Sequence, residues 1–156
     1  MCTCDGCTIL FPGSAGTKYL RVPRRVRKLS EFAMSDAQWE SLYIPIGLAF
    51  FSYHSPAGRV VAMYPSPAGS TESTLALDSW ADLVEQNPVL SNLQPDVEAL
   101  LVNRVKGARD YYLVPIDKCY ELVGTVRTHW RGLSGGSAVW DAIHRFFENL
   151  AAVSHA

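Results

Sequence analysis

The chain has no apolar run approaching the ~20 consecutive residues that a membrane-spanning helix needs. Its opening, MCTCDGC, has neither the basic stretch nor the apolar stretch of a secretory leader. These two absences predict a soluble, cytoplasmic protein. Charge is scarce as well: 19% of the 156 residues are charged and the net charge is −1. Hydrophobic residues make up 48%, so the composition is that of a folded chain long enough for one substantial core. Two catalytic signatures are missing. Without G-x-x-x-x-G-K-[ST] there is no P-loop for a nucleotide, and without G-x-S-x-G there is no α/β-hydrolase nucleophile elbow.

Cysteine is almost absent after the first seven residues. Of four cysteines, Cys2, Cys4 and Cys7 form C-x-C-x-x-C, and the fourth is Cys119. In a reducing compartment such clusters are metal ligands or redox thiols rather than disulfides. Thiolates at this spacing can face one ion from a tight turn, which Asp5-Gly6 suits. Zinc and simple iron–sulfur sites take four ligands. The fourth is open among Cys119, His54, His129, His144, His155 and a residue of a second chain. Cys119 lies on an apolar helical stripe and reads better as core. The plainer reading of the other three is a tail with incidental thiols.

The small net charge hides an asymmetry. Residues 1–28 sum to +5 and residues 29–156 to −6. The positive charge sits in KYLRVPRRVRK, residues 18–28. An arm of one sign on a body of the other permits a homo-oligomer, or presents two unlike faces to partners. Cations in such an arm can also engage phosphates, but an acidic body without a recognisable reading helix makes nucleic acid the weaker reading.

Periodicity predicts an α+β fold. KYLRV reads as a strand ended by Pro23, and Ser35-Asp36-Ala37-Gln38 as a capping box opening a helix at 35–42. Apolar runs at 46–54 and 59–64 flank Ser-Pro-Ala-Gly as a hairpin buried on both faces. VEALLVNRV and YYLVP form a second hairpin around Lys106-Gly107-Ala108-Arg109. Helices start at Leu77-Asp78, with Asp78 as N-cap, and at Ile116-Asp117. Asn87-Pro88 ends the first. LDSWADLV and IDKCYELV match at an offset of 39, so the chain reads as a ββα unit used twice, or as ordinary helix grammar met twice. Two amphipathic helices close the chain, with stripes Cys119, Leu122, Val123, Val126, Trp130 and Val139, Trp140, Ile143, Phe146, Phe147, Leu150. The expected organisation is a partial cysteine knuckle over 1–15 and a single α+β domain over 16–156.

Two polar segments are candidate pocket walls. SPAGSTES, residues 66–73, is long for a strand-to-helix loop and offers Ser70, Thr71 and Glu72, its plainer reading being an ordinary surface loop. RTHWRGLSGGS, residues 127–137, offers Arg127, His129, Arg131, Ser134, Gly135 and Gly136 ahead of a helix whose free N–H groups can hold an anion. Leu133-Ser134-Gly135-Gly136 spells a transporter-ATPase signature, which fails for want of a P-loop. The plainer reading is a helix–helix corner, with Gly132 as C-cap and Ser134 or Ser137 as N-cap.

The phrases IPIGLAFF, GRVVAMYPSPAGSTES, NPVL, PDVEALLVNRV, YYLVPIDKCYELVG and RTHWRGLSGGSAVW together resemble an uncharacterised bacterial family, mainly actinobacterial. Its members are often encoded beside uptake nickel–iron hydrogenase genes. The resemblance runs from Tyr19 to Leu150. Family members tend to open with an additional C-x-x-C before a C-x-C-x-x-C knuckle, as in a zinc-ribbon or rubredoxin-like module. This chain has only the second half. The resemblance implies that Cys2, Cys4 and Cys7 are half of a four-cysteine site for zinc or iron. It also implies a non-enzymatic accessory protein of a hydrogenase system, in maturation, assembly or docking, with hydrogenase subunits or maturation factors as partners. The alternatives carried beside it are a ligand binder or enzyme with its pocket between 66–73 and 127–137, and a nucleic-acid binder using 18–28.

Overall fold

The computed structural model describes residues 25–73, 77–133 and 135–154, with the backbone alone for Leu77 and Asp78 and for the short strands β1 (Cys2–Thr3) and β2 (Leu20–Arg21). β1 and β2 pair in parallel, Cys2 opposite Leu20. The body is a six-stranded antiparallel sheet. Its strands are β3 (Arg27–Lys28), β4 (Leu48–His54), β5 (Arg59–Ser66), β6 (Gly69–Ser73), β7 (Glu98–Asn103) and β8 (Asp110–Pro115), in the order β3-β8-β7-β4-β5-β6. Both expected hairpins are present. The first closes through Gly58 and the second through Lys106 and Gly107, all with φ in the left-handed region.

Side chains alternate across a strand, so consecutive apolar residues must supply two cores. Leu48, Phe50, Ala99, Leu101, Tyr112 and Val114 face one core. Ala49, Phe51, Leu100, Val102, Tyr111 and Leu113 face the other. Helices α3 (Ile116–His129) and α4 (Ser137–Val153) cover the first face through Leu122, Val126, Ile143 and Phe147. The second face is covered by α1 (Asp36–Glu40), α2 (Leu77–Gln86) and a 3-10 turn at Pro88–Asn92, through Met34, Leu42, Leu83 and Leu90. The terminal helices therefore cover half of the sheet. Ser35 caps α1 as expected: its Oγ accepts from Gln38 N–H while the Gln38 side chain accepts from Ser35 N–H.

Three local expectations are corrected. The segment Ser66–Ser73 is not a long loop, since Gly69–Ser73 pairs with β5 as the sheet's outer strand. Ser66 Oγ donates to the Gly69 carbonyl at 3.0 Å, which folds Pro67-Ala68 into a tight turn. α2 begins at Leu77, one residue before the expected cap, so Asp78 lies inside its first turn. The N-cap of α4 is Gly136, whose φ of 79° suits glycine, rather than Ser134 or Ser137.

The two ββα segments do not repeat in space. β4 and β7 are antiparallel neighbours, so a local two-fold between them stands normal to the sheet and leaves both helices on one side. α2 and α3 sit on opposite sides. Their likeness is the shared grammar of a helix start.

Candidate functional site

The two segments singled out as pocket walls do approach each other. A Cβ built on Gly69, in the β5–β6 turn, would lie 3.8 Å from Arg127 Cδ at the end of α3. Around that point most polar groups serve the architecture. Thr71 Oγ1 lies 3.0 Å from Ser66 Oγ, and Glu72 pairs with Arg59 at 2.7 Å. Ser70 is exposed. His129 Nδ1 donates to the Thr125 carbonyl at 2.9 Å. Arg131 Nη1 donates to the carbonyls of Thr128 and Trp130 at 3.1 and 2.9 Å, capping the C-terminal turn of α3. Arg131 N–H donates to the Gly135 carbonyl at 2.8 Å, and Trp130 Nε1 to the Gly132 carbonyl at 2.8 Å.

The glycines of this corner have a steric cause. Gly135 has φ +90°, and a Cβ there would stand 2.8 Å from Val139 Cγ1 and 3.1 Å from the Trp130 ring. Only glycine lets the backbone pass between them. Arg127 is exposed, and no hydrogen bond or ion pair joins it to a described residue. Ser134 lies outside the described residues.

Of the cysteines, Cys4 and Cys7 lie outside the described residues, and Cys2 is described only as backbone in β1. Cys119 is wholly buried on the inner face of α3. Burial, and after it the charge of Asp117, pushes its thiol far above the ordinary thiol range, which suits a small core residue and not a ligand. Among the described residues no three His, Cys, Asp or Glu side chains gather closely enough to hold a metal ion. No helix among them is long and apolar enough to cross a membrane.

A different region has the form of a binding site. A groove of about 600 Å³ runs between the β7–β8 turn and α4. Tyr112, Ile143, Trp140 and Phe147 line it with apolar surface, and Lys28, Lys106 and Asp110 rise on its sheet side. Tyr112 is 2% exposed. Lys28 Nζ sits 5.9 Å from the centre of its ring and 3.9 Å from Asp110. Burial, and then the Asp110 carboxylate, pushes the Tyr112 phenol upward. Two further depressions of about 710 and 390 Å³ lie along the neighbouring segment Lys28–Phe32. Lys28, on edge strand β3, lines all three. The sequence patterns missed this region because its residues come from β3, the β7–β8 turn and α4, which no linear motif joins.

No curated protein and no solved structure matches the chain. The family model does: over residues 1–154 it matches a family of unknown function, DUF5947, and the chain belongs to that family.

Proposed function

We propose that the protein is a non-enzymatic accessory factor that docks a protein of a metalloenzyme system. The observation that carries the docking reading is the position of β3. The described end of the basic segment, Arg27-Lys28, is an edge strand paired on one side with β8, and the three depressions open around it. An edge strand presents backbone donors and acceptors, and Arg27 and Lys28 bias it towards an acidic partner. The metalloenzyme part rests on Cys2, Cys4 and Cys7, and the choice of a nickel–iron hydrogenase rests on the sequence resemblance alone. In that reading the three thiolates, with a fourth ligand, hold zinc or iron.

The test is quantitative co-purification from the native host. Tagged protein should enrich hydrogenase subunits or maturation factors, and the double variant Arg27→Glu/Lys28→Glu should lose at least about tenfold of that enrichment, as expected for charge reversal at a docking edge. Equal recovery by both proteins, or recovery of neither class of partner, overturns it. A second reading, a ligand site at the β5–β6 turn, is favoured by the approach of Arg127 to Gly69.

A further inference from the structure

The groove between the β7–β8 turn and α4 has an uneven charge layout. On the sheet side Lys28 faces Asp110, while Lys106 has no ion-pair partner among the described residues. On the helix side His144 Nε2 is 3.2 Å from Glu148, while Asp141 has no ion-pair partner among them. One cation and one anion are thus left over on opposite walls, and they do not reach each other. Between them the lining is apolar and aromatic, from Trp140, Tyr112 and Phe147. The Tyr112 ring is almost wholly buried, while its hydroxyl, which bonds no described residue, is not among the fully buried unpartnered atoms and so stays open to the groove. Lys106 also holds a left-handed backbone, with φ of 53°, an uncommon conformation for a residue with a side chain.

We propose that this groove binds a small zwitterion with an aromatic or planar body, of the class of an aromatic amino acid. Its carboxylate meets Lys106 and the Tyr112 hydroxyl, its ammonium meets Asp141, and its ring lies on the aromatic lining. The volume falls within the ~300–1,000 Å³ range of small-molecule sites. This assignment does not rest on the accessory reading above, because it needs neither the cysteines nor a protein partner.

Calorimetric titration of the full chain with three probes tests it: L-phenylalanine, which carries both charges, 3-phenylpropionate, which carries only the anion, and 2-phenylethylamine, which carries only the cation. L-phenylalanine should bind about tenfold more tightly than either single-charge probe, the worth of one charge-assisted hydrogen bond. Lys106→Ala should bring L-phenylalanine down to the level of 2-phenylethylamine, and Asp141→Ala to that of 3-phenylpropionate. Both positions are exposed, so the fold survives and circular dichroism serves as the control. Tyr112→Phe, which retains the buried ring, should weaken binding of the two carboxylates and leave the amine unchanged. No saturable heat with L-phenylalanine overturns the proposal. So does equal binding of all three probes, or affinity for L-phenylalanine unmoved by both charge removals.

Discussion

The two faces of the sheet are covered by different means. On one, α3 and α4 bring 14 and 17 residues of continuous helix, and their apolar stripes bury Leu122, Val126, Ile143 and Leu150. On the other, a five-residue helix, a ten-residue helix and a 3-10 turn share the work. Short elements contribute few apolar contacts each, and here long-range polar clamps hold them in place. Asn87, 4% exposed, donates from Nδ2 to the carbonyls of Ala33 at 2.7 Å and Leu83 at 3.0 Å, and accepts from Ala33 N–H at 2.7 Å. Arg104 donates to Asp36 at 3.1 Å and to the Met34 carbonyl at 3.4 Å, beside the Trp39 ring. Arg109 joins the same Asp36 oxygen at 2.8 Å. Burial is alike on the two faces while the devices securing it differ.

The largest expected effect tests that equality. Phe50 and Phe51 are neighbours on β4, 1% and 0% exposed, one in each core. Phe51 also stacks on Trp80 at 5.7 Å. Phe50→Ala and Phe51→Ala should each destabilise by about 3–5 kcal/mol in urea denaturation, the usual result of emptying a packed aromatic site. A loss below about 1 kcal/mol for Phe51→Ala, with the full loss for Phe50→Ala, would show that the second face collapses around the void and is the looser of the two.

Next in size is the clamp itself. Asn87→Ala removes three hydrogen bonds and leaves the backbone groups of Ala33 without their partner, so about 1–3 kcal/mol should be lost. Asn87→Asp keeps an acceptor for Ala33 N–H and sets a carboxylate against the Ala33 carbonyl. It should be no better than Asn87→Ala. If both variants melt with the wild type, the second face is held by its apolar contacts alone, and the contrast between the faces disappears.

The same contrast governs how much of the fold was legible in the sequence. Long apolar stripes announce α3 and α4 because their period persists over several turns. Consecutive apolar residues in β4 and β7 announce a sheet buried on both faces. The helices near 36–40 and 77–86 are legible as local elements, but their place on the second face is not, because a bond such as Asn87 to Ala33 spans 54 residues and leaves no local pattern. The sequence of β6 reads as a loop for a related reason. Gly69-Ser-Thr-Glu-Ser has no apolar alternation, and an outer strand whose one described partner is β5 has little need of one. The corner after α3 had two readings from the same residues, since Gly and Ser serve both caps and anion sites. The slot between Trp130 and Val139 supplies a packing reason for Gly135. The groove beside α4 depends on which residues of three separate elements meet, which periodicity does not encode.

The smallest effect concerns a polar clamp on the first hairpin. Asp96 accepts from Ser55 N–H at 2.8 Å and from Ser55 Oγ, tying the segment before β7 to the β4–β5 turn. Burial alone would raise its pKa, but the two Ser55 hydrogen bonds and then the charge of His54 outweigh it, and the carboxyl sits below its ordinary value. A carboxyl depressed in the folded state stabilises the fold above its unfolded-state pKa, and that contribution fades as pH falls through the folded-state pKa. Ser55→Ala removes one of the two hydrogen bonds and so part of the depression. The variant should melt slightly below the wild type at pH 7, and the gap should narrow as the pH is taken below the ordinary carboxylate range. Asp96 is partly exposed, so solvent screening keeps the difference small. A gap that stays constant from pH 7 to pH 2 would mean that Ser55 acts through packing and not through the charge of Asp96.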